Sequence, residues 1–435
     1  MIFQKIDNKI LYNNLGYLKD SNYKKKKVKF MSQSEEVRTI YEAKEPNVIA
    51  IDFGTLFAKC SVMSNNTWQE DLIVIPNKIF EISETKANTL LTDSKGEISI
   101  PVGLFTQKEI EEAKLLFQAD ETFVQSDALP TDTKKLEKGY QNIAEQIDKE
   151  FNFTGSEKIE GNFNNWAVVT AVASFETAEA RQTVEKLHKM SAKHVGFKAI
   201  YINNQIMFDY FSQINYLKQI GAREGYCTIV DIGGGYTKVG GVSGIPIQES
   251  FRRFNIGGQD ITKYCQRILQ ERYNITGTAY GTIEEWLQEG GTCEGDAPST
   301  NKNFKRKDVD IRDILNTPEM LFDYAKYYKK ERRFNSITAV IVSSIEAVLE
   351  KSEVGVELLL GAVIVCGGAS RFNGLTQRIQ RELADEFPEY KDQINVLVGE
   401  DPQNSGINGI RGLVTAKYGD KQKGLKWIDL TTLEE

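Results

Sequence analysis

One short pattern occurs twice in this chain and constrains its fold more than any other feature. In the first copy, the apolar run at residues 48–51 predicts a buried strand, and residues 57–63 predict a strand that returns beside it. The turn between the two strands carries Asp52, Gly54 and Thr55. This segment is therefore predicted to be a β-hairpin whose turn holds an acid, a glycine and a hydroxyl.

The same arrangement recurs about 180 residues further along the chain. A predicted strand ends in Asp231, three consecutive glycines follow at residues 233–235, and a second strand returns. Both copies read Asp-x-Gly-x-x-x-x-Lys and end at Lys59 and Lys238. An internal duplication explains both copies, and it predicts two related halves of the molecule.

The other segments alternate between strand and helix patterns, which is typical of α/β proteins. With 435 residues, the chain is long enough for two or three domains. Further strands are predicted at residues 166–172, 199–202 and 358–366. Helices are predicted at residues 176–191, 205–211, 260–272 and 336–350, and another begins at residue 375.

Composition excludes several classes of protein. A net charge of −7 argues against a dedicated nucleic-acid binder, which needs a basic surface. The five cysteines form no C-x-x-C pair, so a zinc ribbon or disulfide framework is not expected, and a reducing cytoplasm fits best. Two histidines are too few for a three-histidine zinc site. The longest apolar run is far below the ~18 residues that a transmembrane helix needs.

Residues 1–45 differ from the rest of the chain in being polar and rich in asparagine and lysine. They include the basic run at residues 24–27 and a second methionine, Met31. Because they lack a compact apolar region with a cleavage site, we predict a flexible extension, or a stretch translated upstream of a start at Met31. A basic anchor for anionic lipid or an acidic partner is the alternative.

Each hairpin turn is suited to bind phosphate, because consecutive backbone N–H groups can point inward and glycine lets the backbone come close. Thr55 adds a hydroxyl, and Lys59 adds a positive charge. Asp52 and Asp231 would repel phosphate without a cation between them, so their presence implies Mg²⁺. The chain contains neither a Walker motif nor G-x-G-x-x-G, which excludes ordinary P-loop and Rossmann folds.

Together with a third glycine turn at residues 367–368, these motifs resemble the superfamily of actin, heat-shock chaperone and sugar-kinase ATPases. The motifs that carry the resemblance are residues 48–59 and 227–240, similar to its phosphate motifs, and residues 363–374, similar to its adenosine motif. Actin-like blocks, in the manner of an archaeal crenactin-type protein, lie at residues 255–269, 317–322, 334–337 and 401–412. The resemblance implies an α/β, two-lobed actin-like ATPase fold, with duplicated mixed-sheet domains around a cleft for ATP or ADP and Mg²⁺.

The same resemblance implies roles for individual residues. Asp52 and Asp231 would hold Mg²⁺ through waters, and Gln205 would orient the attacking water. Asp231 and Lys238 would complete the catalytic set. The phosphate-binding residues would be Gly54, Thr55, Lys59, Gly233, Gly234, Gly235 and Thr237, and the adenosine-binding residues Gly367, Gly368, Ala369 and Phe372.

Two positions depart from the actin pattern. Gly234 stands where actin has an acid, and this glycine makes the motif more similar to that of the chaperone branch. Lys238 stands where actin has a histidine close to the attacking water. A lysine with an ordinary pKa of ~10.4 is a poor base at neutral pH, although its charge could stabilise the γ-phosphate. The resemblance therefore implies slow, Mg²⁺-dependent ATP hydrolysis and leaves its rate open.

The function implied is that of a cytoplasmic cytoskeletal protein that assembles with itself into nucleotide-regulated filaments. Actin-binding regulators are expected partners, whereas nucleic acid and integral membrane association are not. The main alternative is a non-polymerising actin-related scaffold subunit that binds ATP with little hydrolysis. A chaperone-type ATPase would need a peptide-binding domain, and only about 60 residues follow the adenosine motif. A small-molecule kinase is a further alternative.

The resemblance also implies discontinuous domains behind the extension at residues 1–45. The first large subdomain would comprise residues 46–78, 128–218 and 400–435, with a small subdomain inserted at residues 79–127. The second large subdomain would comprise residues 219–257 and 331–399, with a small subdomain inserted at residues 258–330.

Overall fold

The computed structural model describes residues 47–54, 57–64, 67–83, 86–87, 102–112, 120–123, 132–155, 158–173, 177–223, 225–277, 280–328, 333–418, 425 and 427–433. The predicted extension at residues 1–45 and the predicted phosphate ligand Thr55 lie outside the described residues.

Strands and helices alternate along the described residues. The strands are β1 (Asn47–Phe53), β2 (Phe57–Ser64), β3 (Thr67–Trp68), β4 (Ile73–Pro76), β5 (Lys78–Ile82), β6 (Gly103–Phe105), β7 (Asp120–Phe123), β8 (Trp166–Val172), β9 (Ala199–Asn204), β10 (Tyr226–Ile232), β11 (Thr237–Ser243), β12 (Ile245–Pro246), β13 (Arg252–Phe254), β14 (Asn301–Phe304), β15 (Lys307–Asp310), β16 (Val363–Cys366), β17 (Val396–Val398) and β18 (Ile428–Asp429). The helices are α1 (Gln107–Glu112), α2 (Thr133–Phe151), α3 (Ala178–Val195), α4 (Gln205–Gln219), α5 (Gly258–Tyr273), α6 (Tyr280–Gly290), α7 (Arg312–Leu315), α8 (Tyr324–Tyr328), α9 (Ile337–Lys351), α10 (Val356–Leu360), α11 (Leu375–Glu386) and α12 (Ser405–Tyr418).

The first large sheet has the strand order β18-β9-β8-β1-β2-β3, and β4 also pairs with β2. β1 and β2 form the first predicted antiparallel hairpin, β8 lies parallel to β1, and β9 lies parallel to β8. Because side chains alternate along a strand, Ile49 and Ile51 pack with α2 and α3 on one face. Val48 and Ala50 pack with α4 and α12 on the other face. Helices therefore cover both faces of this sheet.

The second large sheet repeats this plan, with the order β12-β11-β10-β16-β17 and with β13 paired to β11. β10 and β11 form the second predicted hairpin, β16 lies parallel to β10, and β17 lies parallel to β16. Each sheet is thus built on an antiparallel hairpin followed by two parallel strands. The predicted mixed α/β class is confirmed, and the repeated strand order is the structural counterpart of the repeated motif.

One predicted strand is wrong in its first half. Residues 358–366 read as a single apolar run, but α10 ends at Leu360 and β16 begins only at Val363. A short apolar run does not distinguish a buried helix from a buried strand. Leu359, Leu360 and all of β16 are fully buried, so burial on both sides of the turn at Gly361 explains the run.

Smaller units accompany the two sheets. β5 pairs with β6 and β7, and α1 packs on this small sheet. Around the second large sheet, α5, α6 and the β14–β15 hairpin join one extensive apolar core. The domain limits stay a prediction. None of the helices in the described part of the chain combines the length and the apolar character needed to cross a bilayer.

Candidate functional site

The two hairpins and the third glycine turn line one cavity of about 280 Å³. Because its walls come from both large sheets, the cavity lies between the two halves of the molecule. The predicted site residues that line it are Asp52, Gly54, Lys59, Gln205, Asp231, Gly233, Gly234, Gly235, Lys238, Gly367, Gly368, Ala369 and Phe372.

The strand register makes the two hairpins equivalent. Asp52 lies opposite Lys59 across the first hairpin, and Asp231 lies opposite Lys238 across the second. Directly opposed residues project from the same face of a sheet, so each turn presents an acid and a lysine together. The lysines then differ in their contacts. Lys238 Nζ lies 2.5 Å from Asp231 Oδ2, whereas Lys59 Nζ donates a hydrogen bond to the backbone oxygen of Gln403.

Burial and neighbouring charges set the ionisation of these groups. Burial raises the pKa of Asp52 above its usual range, and Lys59, Lys238 and a hydrogen bond from Gln205 oppose that rise. Burial is the largest single influence on Lys238 and lowers its pKa, but the charge of Asp231, together with Tyr236, Asp209 and the hydrogen bond to Asp231, more than offsets burial and raises the pKa above the ordinary lysine value. Lys238 is therefore an ammonium at neutral pH and cannot accept a proton from water.

The glycine turn of the second hairpin packs on the start of α5. The N–H groups of Gly258 and Gln259 donate to the carbonyls of Gly233 and Gly234, at 3.0 and 2.8 Å. Those bonds satisfy carbonyl groups of the turn. Among the described residues, the N–H groups of Gly234 and Gly235 have no hydrogen-bond partner. Free, adjacent N–H groups facing a cavity are the feature that an anion-binding turn requires.

The third glycine turn follows β16 and lies against Asp231. Gly367 has a φ of 90°, and a Cβ at this position would lie 2.5 Å from Asp231 Oδ1. Only glycine fits such a position, both for its backbone angle and for its contacts. The space where a side chain of Gly368 would stand is open, so a ligand can approach the backbone there.

Gln205 begins α4 at the base of the cavity, and a buried acid lies one turn further along the helix. The Nε2 of Gln205 donates to Asp209 Oδ1 at 3.3 Å, and the hydroxyl of Ser405 donates to the same oxygen at 2.6 Å. Asp209 is fully buried, and burial, reinforced by the nearby Asp231, raises its pKa. The i,i+4 spacing from Gln205 could have identified Asp209 in the sequence. Ser405 comes close only through the tertiary packing of α12 on α4.

The far end of the cavity is lined by residues that sequence reasoning did not find. Thr262, Glu284, Leu287 and Gln288 extend from α5 and α6 toward Phe372. Burial raises the pKa of Glu284, whose carboxylate has no partner among the described residues. Nothing in the local sequence marks these positions, because they reach the cavity only when the two helices pack beside the third glycine turn.

Thr237 is the predicted phosphate ligand that the structure places elsewhere. It is fully buried, and its hydroxyl donates to the backbone oxygen of Ile256 at 2.9 Å. Side chains alternate at the start of β11, so Tyr236 and Lys238 face the cavity while Thr237 faces the core. The phosphate role of Thr237 is therefore corrected to a structural one: it ties β11 to the segment before α5.

The donor set can be compared with the needs of a metal ion. No group of three or more histidine, cysteine, aspartate or glutamate side chains within the described segments could hold a metal ion. Mg²⁺ bound with a nucleotide needs less, because phosphate oxygens and waters supply most of its ligands. Asp52 and Asp231 fit that requirement, although one oxygen of Asp231 is already bound by Lys238.

Comparison with known proteins points to one family. The model of the actin family, described as "Actin", matches residues 311–406. Actin-like protein 7A of Macaca fascicularis and that of Homo sapiens are each 24% identical to this chain over 182 residues. The alignments cover 40% of this chain, which spans 42% of the length of these relatives. With the duplicated mixed sheets, these similarities support an actin-like fold.

Proposed function

We propose that this chain is an actin-related protein that binds ATP with Mg²⁺ between its two halves and hydrolyses it slowly. The observation that carries the proposal is a single cavity into which two equivalent Asp-x-Gly-x-x-x-x-Lys hairpins project from opposite sheets. A net-acidic chain with two acids in this cavity needs local positive charge to hold a polyphosphate. Lys59, Lys238 and the free N–H groups of the second turn supply it.

Each part of Mg-ATP has a counterpart in the cavity. The hairpin turns would hold the phosphates from two sides, and Asp52 and Asp231 would hold Mg²⁺ through waters. When bound, the ion neutralises phosphate charge. Leu287 and Phe372 form apolar walls for the base beside Gly368. The unpartnered Glu284 carboxylate would accept a hydrogen bond from the nucleoside, which repays part of the cost of its burial.

Slow hydrolysis is expected because Lys238, which stands where actin has a histidine close to the attacking water, is not a suitable base. Lys238 stays protonated, so it contributes charge stabilisation and no proton transfer. Gln205 would orient water by hydrogen bonding. Positioning and charge stabilisation account for most of the catalysis in phosphoryl transfer, so hydrolysis can still proceed when Lys238 accepts no proton.

Nucleotide titration of purified protein tests the proposal. ATP should bind more tightly in Mg²⁺ than in EDTA, and ADP should bind in the same site. Asp52→Ala should abolish the Mg²⁺-dependent part of the affinity, whereas Asp392→Ala, on an exposed loop, should leave it unchanged. If the Asp52 variant binds Mg-ATP as well as the parent does, the site assignment is wrong.

The polymer proposal rests on the actin-like sequence blocks and on their resemblance to an archaeal crenactin-type protein. ATP contacts to both halves would favour a closed cleft, and loss of the γ-phosphate would weaken that preference. The resulting switch would regulate head-to-tail assembly of a cytoplasmic filament with actin-binding regulators as partners. Pelleting with ATP and Mg²⁺, followed by electron microscopy, should show filaments.

A non-polymerising scaffold subunit that binds ATP with little hydrolysis is the second candidate. The ammonium of Lys238, which removes a base from the cavity, favours it. So do the relatives, which are named actin-like proteins and not actins. A monomer at all protein and salt concentrations, with nucleotide bound, would support the scaffold and contradict the filament.

A further inference from the structure

We infer that Asp209 is a positioning residue that fixes which end of the Gln205 amide faces the nucleotide. The inference rests on the proposed function, because Gln205 is taken to orient the attacking water. Asp209 is not among the residues that line the cavity, and it contacts the Gln205 side chain, which is.

The contacts hold the Gln205 side chain from two directions. Its Nε2 donates to Asp209 Oδ1 at 3.3 Å, one turn along α4. The same Nε2 lies beside the Asp52 carboxylate in the wall of the cavity, because a Cβ built on Gly406 would crowd both groups. Gln205 is only 6% exposed and Asp209 is fully buried, so bulk water does not compete for these contacts.

The chemistry of the amide then determines its orientation. A side-chain amide has two N–H donors at one end and a carbonyl acceptor at the other. An acidic oxygen that accepts from a neighbour attracts the donor end and repels the carbonyl. With Nε2 bonded to Asp209 and placed beside the Asp52 carboxylate, the donor end of the amide faces the two acids, and its Oε1 is the end left for the cavity. A water that donates to Oε1 keeps its lone pairs free for phosphorus.

Asp209 is in turn held by the opposite helix. Ser405, the first residue of α12, donates to the same Oδ1 at 2.6 Å. Gly406 follows, and a Cβ there would lie 2.6 Å from Asp52 Oδ2 and would overlap Gln205 Nε2. Two helices therefore fix the position of Oδ1, and Oδ1 accepts both bonds whether or not Oδ2 carries a proton.

The test compares variants in single-turnover ATP hydrolysis and nucleotide affinity. Asp209→Ala should slow hydrolysis about tenfold to a hundredfold, the range expected when a reacting group loses its orientation, with the nucleotide dissociation constant within twofold. Asp209→Asn keeps an acceptor oxygen and should retain most of the rate. Asp148→Ala, at another buried helical aspartate outside the cavity, should leave both constants unchanged.

A second measurement does not depend on hydrolysis. In protein labelled with ¹⁵N-glutamine, the Gln205 side-chain amide is assigned by its disappearance in Gln205→Ala. Its two protons should exchange slowly with solvent in the parent and in Asp209→Asn, and about tenfold faster or more in Asp209→Ala. Ser405→Ala keeps the Asp209 carboxyl group and removes only the hydroxyl that donates to it, so this variant should give an intermediate rate of exchange.

Unchanged amide exchange in both Asp209→Ala and Ser405→Ala would overturn the inference. So would a hydrolysis rate in Asp209→Asn as low as that in Asp209→Ala, or an equal loss in Asp148→Ala. A parent protein that binds ATP but does not hydrolyse it would refute the hydrolysis part of the proposed function alone. The amide exchange would then still decide whether Asp209 holds Gln205.

Discussion

Asp52 and Asp231 occupy equivalent places in the two hairpins, but their different contacts suit them to different roles. Asp231 is neutralised within the second hairpin by Lys238, and both side chains are nearly buried. Asp52 instead lies beside the Gln205 amide, and Lys59, the lysine opposite Asp52, donates to the backbone oxygen of Gln403. In the proposed site, Asp52 is therefore the more available acid for a cation that would arrive with the nucleotide. Asp231 would act mainly to hold the Lys238 ammonium beside the phosphates.

The ion pair of the second hairpin should make a measurable contribution to the free energy of unfolding. Lys238→Met leaves the Asp231 carboxylate buried without its partner, so the free energy of unfolding should fall by about 3–5 kcal/mol. The double variant Asp231→Asn/Lys238→Met removes both charges and should recover most of that loss. Urea unfolding of the parent, the single and the double variant measures both changes. If the single and the double variant lose the same free energy of unfolding, the packing of the lysine side chain is responsible and the ion pair is not.

Gly406 gives a matched test of the crowded base of the cavity. Gly406→Ala should weaken Mg-ATP binding about tenfold, because the added methyl group overlaps the Gln205 amide and crowds the Asp52 carboxylate. Gly412→Ala, in the same helix, meets open space and should instead raise stability by about 0.5–1 kcal/mol with binding unchanged. Calorimetric titration of both variants provides the comparison. Identical binding by the two would contradict the close contact at residue 406.

At the scale of elements, a buried aromatic cluster supports the first hairpin from behind. The hydroxyl of Tyr140 on α2 lies 2.8 Å from Nδ1 of His188 on α3, and both residues are fully buried. The ring of Phe53, at the end of β1 and in the cavity wall, stands edge-on to Tyr140 at 5.2 Å. Two helices are thereby fixed against the strand that carries Asp52.

This cluster should make stability depend on pH. Burial lowers the pKa of His188 to about 3, against 6.5 for an ordinary histidine. The folded state therefore excludes a proton that the unfolded state binds, and stability should fall as pH drops from 6.5 toward 3, by about 1.4 kcal/mol per pH unit for this group. Urea unfolding at pH 7, 5.5 and 4.5 should show a shallower slope in His188→Gln than in the parent. Equal slopes in the parent and in His188→Gln would contradict the prediction.

Many of the strands and turns could be predicted from the sequence, because apolar strands, acidic turns and glycines are local signals. Both hairpins, their paired acids and lysines, and the turn at Gly367 follow from such signals. The phosphate role of Thr237 failed because β11 alternates, and the strand predicted over residues 358–366 failed because a buried helix has the same apolar composition. Ser405 and Glu284 reach the cavity by helix packing, for which a single sequence carries no signal.

At the scale of the whole molecule, the repeated sheet plan matters because it places like turns on opposite walls of one cavity. A ligand that contacts both turns must stabilise the two sheets together, since its binding energy is lost if either wall opens. A ligand held by one wall alone would stabilise one sheet and leave the other unaffected. The two cases differ in where amide protons become protected from exchange.

Hydrogen exchange with and without Mg-ATP should therefore show protection in both hairpins at once, in peptides from Asn47–Phe53 with Phe57–Ser64 and from Tyr226–Ile232 with Thr237–Ser243. Replacing Mg²⁺ with EDTA should reduce protection of both hairpins in parallel, as should Asp52→Ala, although that residue belongs to the first hairpin only. The β14–β15 hairpin, which lies outside the cavity, should exchange equally in all samples. Protection confined to one hairpin would mean that the nucleotide binds a single wall, and the proposed closure of the cleft around ATP would then have no physical basis.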